Sequence, residues 1–173
     1  DFYKNNKNLI NSVEKKFNIE KELLLALMGI ETNFGTYLGK MDILSSLATL
    51  SFDKRRSEFF TNELIIILQL IEKDVIDYKS LYGSWAGAFG NFQFMPSTIE
   101  DYAIDYNENN RIDLINLDDS FASAANYINK LGWLENLIPI KSKHSLSCQS
   151  AVFQIEVKDG ISSSELISTL IST

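Results

Sequence analysis

Cysteine, histidine and proline are nearly missing from this sequence. Its 173 residues hold one cysteine, Cys148, one histidine, His144, and two prolines. A single cysteine excludes an internal disulfide. The lone histidine sits in the polar stretch KSKHSLS and reads as a solvated surface residue. That removes a Ser/His triad from consideration and, with one cysteine, a zinc site of the usual ligands. So few prolines favour long helices over a loop-rich fold. No apolar run reaches the roughly 18 residues of a membrane-spanning helix. The stretch from Leu64 to Ile71 is too short, and charges bracket it. With a net charge of -7 the chain lacks the basic face that nucleic acid needs. A polysaccharide partner is not excluded, because hydroxyl and amide contacts matter more there than charge. The chain starts at Asp1 without Met and shows no signal peptide, as expected of a mature product or an excised segment.

What is present is apolar and periodic. Hydrophobic residues make up 45% of the chain, enough for one globular domain with a sizeable core. The stretch Leu23 to Gly35, LLLALMGIETNFG, places an acid where an acid costs most. At helical spacing Leu24, Leu27, Glu31 and Phe34 share one face, with Leu23 and Ile30 beside it. A carboxylate facing the interior or a cleft must find partners or hold its proton. A retained proton suits a general acid. A structural carboxylate capping a neighbouring helix suits this stretch equally well.

The rest of the chain reads mainly as helices. Residues 6–17 form a first helix, and Asn18 is placed to cap the second, which carries Glu31 and ends at Gly35. Ile43 to Ser51 is a short amphipathic helix. Asp53 opens the longest helix, which runs to about Asp74. Its apolar residues fall nearly all round, which predicts central burial. Asp42 and Asp53 read as helix caps, and no acid besides Glu31 is expected on an apolar stripe. Residues 82–96, YGSWAGAFGNFQFMP, break every regular period. Glycines let backbone approach a ligand, and exposed aromatic rings stack on flat apolar faces such as those of sugars. A packing loop is the alternative, but Gln93 among aromatics favours one that lines a ligand site. Ser97 with Glu100 reads as a capping box for a helix reaching about Tyr106.

The segment from Asp105 to Asp119 follows. Asp105, Asn107 and Asn109 alternate as oxygen donors, and Arg111 would supply a carbonyl, like the start of an EF-hand calcium loop. Asn110 stands where that motif has glycine, and Asn116 where it has a bidentate Glu. Asp118 or Asp119 could close the site instead, and a solvated Asn/Asp turn without metal competes with a weak calcium site. Asp119 or Ser120 caps a last long helix, which Gly132 stops. After Trp133 the chain turns polar. AVFQIEV at 151–157 alternates as a strand, Asp159-Gly160 as a turn and Ser162 to Ser172 as a short helix. The expected organisation is a helical domain over 1–133 and a small, incomplete mixed appendage over 134–173.

Together these pieces resemble the lytic murein transglycosylases of the membrane-bound B type. The resemblance rests on MGIETNFG around Glu31, GKMDILSSLATLSF from Gly39, RRSEFF from Arg55, GSWAGAFGNFQFMPST from Gly83, DYNENNRIDL, and SAANYINKLGW. These blocks span about Asn18 to Trp133 in order. The resemblance implies a lysozyme-like helical domain with a small strand-containing appendage. It implies Glu31 as the single catalytic acid. Ser84 and Gln93 would line the cleft with Phe94, Tyr82 and Asn91, and Met95 completes the glutamine-containing motif. Asp105, Asn107, Asn109, Arg111 and Asp119 fall on the family's calcium loop, with calcium as a structural and not a catalytic ion. The two asparagines lower the loop's charge. The implied reaction cleaves the β-1,4 bond between N-acetylmuramic acid and N-acetylglucosamine of peptidoglycan and forms a 1,6-anhydro ring. The implied partner is the glycan strand, acted on by a monomer in the periplasm or at the outer membrane. The family also carries an aromatic segment with a Tyr-Asn pair after the strand region and, at its start, a segment that packs on the cleft. Neither is found between Asp1 and Thr173, which implies a fragment or a shortened member. A hydrolytic muramidase or a non-catalytic peptidoglycan-binding domain are the rival readings. A calcium sensor is a weak third, since the loop has no paired EF-hand.

Overall fold

The computed structural model describes residues 1–133 and the backbone of one short strand pair beyond them. Helix α1 spans Phe2–Asn5, α2 Lys7–Phe17 and α3 Lys21–Thr32. A two-residue strand β1, Met41–Asp42, precedes α4, Ile43–Ser51, and α5, Ser57–Glu72. A 3-10 turn at Tyr78–Ser80 leads into β2, Tyr82–Gly83. Helix α6 spans Pro96–Tyr102 and α7 Leu117–Lys130. Strands β1 and β2 are antiparallel, with Met41 opposite Gly83 and Asp42 opposite Tyr82. A second antiparallel pair joins β3, Leu146–Ser147, to β4, Val152–Phe153. The strand expected at 151–157 is thus described only at Val152 and Phe153. The expected turn at 159–160 and helix at 162–172 lie outside the described residues.

The architecture is mainly helical, as the periodicity requires. Helix α7 packs on α2 and α6, and α5 packs on α4 and α6. Phe121 on α7 is fully buried and meets Phe92 edge-on at 5.2 Å and Phe2 at 6.3 Å. Ile10, Ile19, Leu24, Leu47 and Ile67 complete the interior from α2 to α5 and the link between α2 and α3. Each such side chain contributes about 1.5–3 kcal/mol through the apolar area it withdraws from water.

Several helix ends differ from expectation, for identifiable reasons. Asn18 caps the helix before it, not the one after. It takes the left-handed conformation (φ 54°), and its N–H donates to the Glu14 carbonyl. Asn tolerates that conformation better than most residues. Helix α3 ends at Thr32, and Asn33, Phe34 and Gly35 are left-handed in succession (φ 47°, 56° and 79°). Phe34 therefore leaves the Glu31 face and folds its ring back over Gly29 and against Phe2. Asp42 does cap α4, accepting from the Ser45 N–H at 2.7 Å, and the Ser45 side chain, with that N–H second, holds its carboxyl below the usual value. Asp53 caps nothing. Its carboxylate grips the Arg55 guanidinium at 2.6 Å, which holds it down to about 2. Helix α5 starts only at Ser57 and is not central, since Ile65 and Leu68 remain about half exposed on its outer side. An apolar face without a covering layer looks, in sequence, like a buried one. Helix α6 stops at Tyr102, short of the expected Tyr106.

The expected capping box at Ser97 is replaced by a longer-range contact. Glu63 on α5 is buried, with both oxygens engaged at the α6 N-terminus. It accepts from the Ser97 N–H at 2.8 Å and the Ser97 hydroxyl at 2.7 Å. An acid besides Glu31 therefore does lie on an apolar stripe, between Phe60 and Ile67, and it plays the structural part. Its negative charge meets the unsatisfied N–H groups and the positive end of the α6 dipole. Replacing Glu63 by Ala leaves those donors without this acceptor, at a cost of about 2 kcal/mol. The expected result is a lower urea midpoint with an unchanged slope. An unmoved midpoint would mean that water caps α6 just as well.

Candidate functional site

Residues 89–94 form the centre of the site. Phe89 and Phe94 exchange N–H···O bonds in both directions, at 3.1 and 2.9 Å, which closes a tight hairpin over 90–93. Gly90 has φ 80°, and a Cβ there would collide with Leu114. Only glycine meets both conditions. Gln93 is also left-handed, at φ 52°, and its N–H donates to the Gly90 carbonyl at 3.2 Å. A non-glycine residue held this way costs of order 1 kcal/mol or more, which the surroundings must offset. Gln93 Nε2 donates to the carbonyls of Gly90 at 2.9 Å and Leu38 at 3.3 Å. Its side chain is thus aimed by the hairpin and by the segment before β1.

Asn91 anchors this hairpin. Its N–H donates to the Leu114 carbonyl at 2.8 Å, and its amide donates to the Ile115 carbonyl at 2.9 Å and to Ser120 Oγ at 3.0 Å. Its carbonyl accepts from Thr32 Oγ at 2.9 Å, beside Glu31 on α3. Asn91, named from sequence as a cleft residue, is therefore buried among protein partners.

A groove opens between α3, the hairpin, α6 and α7. Leu27 and Glu31 form one wall, and Phe92, Gln93, Phe94 and Met95 form the next. Thr98, Ala124, Tyr127 and Ile128 close it. Glu31 is half-buried at this groove, one turn from Leu27 as its helical period demands. Phe94 meets Tyr127 edge-on at 5.7 Å, and Tyr127 meets Tyr102 at 5.0 Å. Burial, and secondarily Tyr102, pushes the Tyr127 hydroxyl above its ordinary value, so it stays neutral. Tyr127 and Thr98 were not singled out from sequence. Tyr127 follows Ala124 by three positions on α7, a signal that was legible there.

The structure thus brings Glu31, Gln93 and Phe94 together. Ser84 and Tyr82 lie apart from the lining of this groove. Ser84 is buried, and its hydroxyl accepts from the N–H groups of Ala86 at 3.3 Å and Ala88 at 3.1 Å. Tyr82 is exposed on β2.

The 105–119 loop is held together by its own carboxylates. Asp105 accepts from the N–H groups of Asn109 at 3.0 Å and Asn110 at 2.7 Å. Asn107 Oδ1 also reaches the Asn109 N–H, at 3.2 Å, and Asn109 Oδ1 accepts from the Arg111 N–H at 2.9 Å. Asp119 is fully buried and accepts from Tyr106 at 2.9 Å, Asn107 at 3.4 Å and Asp113 at 2.9 Å. Asp119 sits inside the first turn of α7, where the sequence suggested a cap, and Asn116 is the cap. The Arg111 guanidinium turns away from the loop to Asp74 at 2.6 Å. Among the described residues no three His, Cys, Asp or Glu side chains cluster as metal ligands, because asparagines stand at 107 and 109. Among the described residues no helix is long and apolar enough to cross a membrane.

Comparison with known proteins places this geometry. Residues 1–164 match the model of the transglycosylase SLT domain. The membrane-bound lytic murein transglycosylase B of Escherichia coli strain K12 is 36% identical over 135 residues. That alignment covers 78% of this chain and 37% of the relative, so the chain spans little over a third of its length. The E. coli lytic transglycosylase Slt35 in complex with bulgecin A superimposes with a TM-score of 0.73 at 36% identity, over 77% of this chain and 43% of that one. Slt35 solved in complex with calcium gives 0.73 at 31% identity, over 88% and 56%. SltB3 from Pseudomonas aeruginosa, in complex with NAG-anhNAM-pentapeptide, gives 0.73 at 31% identity, over 76% and 36%. The described architecture is accordingly the lysozyme-like one of these enzymes, and the chain belongs to the SLT-domain lytic transglycosylases.

Proposed function

We propose that this chain is the catalytic part of a peptidoglycan lytic transglycosylase, with Glu31 as its single acid and base. The observation that carries this reading is the groove that Glu31 shares with Gln93, Phe94 and Tyr127. Protonated Glu31 donates its proton to the glycosidic oxygen as the bond from C1 of N-acetylmuramic acid to that oxygen breaks. The substrate's own N-acetyl group meets the positive charge that develops at C1. Glu31, now a carboxylate, takes the proton of the C6 hydroxyl as that oxygen attacks C1. The product is a 1,6-anhydro sugar, and no water is consumed. One residue acts twice, so the second carboxylate of ordinary glycosidases is not required. The other buried acids support this assignment by their engagement elsewhere, Glu63 at α6 and Asp119 in its loop. Gln93 hydrogen-bonds and orients the sugar, and Phe94 packs against it. The Pseudomonas relative with its NAG-anhNAM-pentapeptide is consistent with that product class. Residues 1–133 form the catalytic unit, 134–173 are an appendage, and the chain acts as a monomer on glycan strands in the bacterial cell envelope.

The Glu31→Gln variant keeps the shape and removes the transferable proton. On purified sacculi the unaltered chain should release muropeptides with anhydro ends, read by mass spectrometry. The variant should release them at least about 10²–10⁴-fold more slowly, the range of general acid–base catalysis, with an unchanged circular dichroism spectrum. Reducing ends would make the enzyme a hydrolase, and no release by the unaltered chain would make it a binding domain.

Calcium fits the 105–119 loop by its donor chemistry. Asp105, Asn107 and Asn109 offer side-chain oxygens, Arg111 a carbonyl, and Asp119 a carboxylate, all hard donors of the kind calcium takes. The ion would tie the loop to the start of α7 and would supply no chemistry at Glu31. With saturating calcium the melting temperature should rise by about 5–11 °C over that with chelator, the size expected for a ligand at about a hundredfold its dissociation constant. The Asp105→Asn variant should lose this rise. Identical melts of the unaltered chain in both conditions would remove the metal from the reading.

A further inference from the structure

Buried hydrogen bonds join the oxygen-rich loop to the helix of the acid, and the proposed mechanism does not use them. Between 105 and 119 only Leu114 and Asp119 are buried. With so little apolar burial, the order of this loop is easily lost. Carboxylates supply that order. Asp119 accepts from the Asp113 N–H at 2.9 Å, and the Asp113 carboxylate accepts from the Ile115 N–H at 2.9 Å. The turn that presents the Leu114 and Ile115 carbonyls is therefore built by the loop's own acids.

Those two carbonyls are the ones that Asn91 holds. Its N–H donates to Leu114, and its amide donates to Ile115 and to Ser120 Oγ. The Leu114 side chain also occupies the space beside Gly90 that a Cβ would need. A displaced 113–116 turn either loses these contacts or drags the 90–93 hairpin with it. The hairpin has its own reason to yield, since Gln93 is held at φ 52°. Gln93 and Phe94, on the groove wall, belong to the same hairpin.

Thr32 carries the link to α3. It is 1% exposed, and its hydroxyl proton has two acceptors within reach. One is the Asn91 carbonyl at 2.9 Å, and the other is the Met28 carbonyl of its own helix at 3.2 Å. The second is the local bond that helical threonines commonly make. With the hairpin in place the nearer acceptor is Asn91. With the hairpin displaced the proton returns to Met28. The donor is met in both states, so the exchange costs little. The same oxygen accepts from the Gly35 N–H at 3.0 Å, which ties in the turn that ends α3. Glu31 is the residue before Thr32.

We propose that Asn91 and Thr32 are positioning residues that transmit the order of the 105–119 loop to the groove beside Glu31. A hard divalent cation held by the loop then tightens the glycan, although no residue of the loop lines the groove. This rests on both earlier readings, the groove as a glycan site and the loop as a calcium site. Favouring the ordered hairpin raises the fraction of chains able to bind, and the apparent affinity rises with that fraction. By linkage the glycan must favour calcium by the same factor.

The test uses the Glu31→Gln chain, so that binding is read without cleavage. Calorimetry gives the affinity for calcium with and without saturating N-acetylchitotetraose. It also gives the affinity for the sugar with calcium and with chelator. Calcium should tighten the sugar by at least about fivefold, and the sugar should tighten calcium by the same factor. Adding Thr32→Val keeps the shape and removes the hydroxyl. It should abolish both effects while calcium still binds, and Thr32→Ser should restore them. Asn91→Ala should abolish them too. Ser120→Ala, which takes one acceptor from the amide without touching α3, should lessen them. A purely structural part for these residues would lower the melting temperature and leave the mutual factor as it was, and that result overturns the relay. So does a Glu31→Gln chain that binds both ligands with neither affecting the other, and both earlier readings survive it. A chain that takes no calcium sinks the loop reading and the relay with it. A chain that takes calcium but no sugar does the same to the groove reading.

Discussion

The hydrogen bonds of Asn91 fix the relation between the acid and the wall it faces. Asn91 sits inside a four-residue hairpin loop that is left-handed at both ends, at Gly90 and Gln93. Alone, such a loop has many conformations of similar energy. Asn91 removes that freedom by bonding in three directions, to Leu114 and Ile115, to Ser120 on α7 and to Thr32 on α3. Thr32 is the neighbour of Glu31. One buried amide therefore sets the hairpin against the helix that carries the acid. Each buried bond of this kind contributes only about 1 kcal/mol net, but leaving its donor or acceptor unmade would cost more, so the alternatives are suppressed.

Three buried or half-buried acids show how environment assigns roles to one functional group. Glu63 meets a helix N-terminus and a hydroxyl, and its charge is absorbed there. Asp119 meets three backbone N–H groups and closes a loop. Glu31 faces a groove lined by Phe92, Phe94, Met95 and Tyr127. The first two positions engage both oxygens with donors and so play structural parts. The third is a largely apolar wall, the setting that the proposed acid–base role calls for.

The aromatic residues of 82–96 divide in the same way. Phe89, Phe92 and Phe94 are buried and build the hairpin and groove, while Tyr82 and Trp85 face out. The glycines decide this partition. Gly83 and Gly39 let two backbones touch, so β2 lies flush against the segment before β1, and Tyr82 is left exposed. The packing role weighed from sequence falls to the three phenylalanines, which are buried.

Local pattern was enough for the helices, for the place of Glu31 on the Leu27 face, for the irregular character of 82–96 and for the loop of oxygen donors from Asp105. These follow from spacing, and spacing is a property of the chain alone. Tertiary structure decided the rest. It sent Glu63 rather than Ser97's own neighbour to cap α6, because the nearest acceptor in space lies 34 positions away in sequence. It gave Asn18 to the helix before it, moved Phe34 off the acid's face through three left-handed residues, and left the outer side of α5 uncovered. It also brought Tyr127 to Phe94 and Asn91 to Thr32. Periodicity tells which residues share a face of one element, whereas which face meets which depends on long-range packing and hydrogen bonds that no local pattern contains.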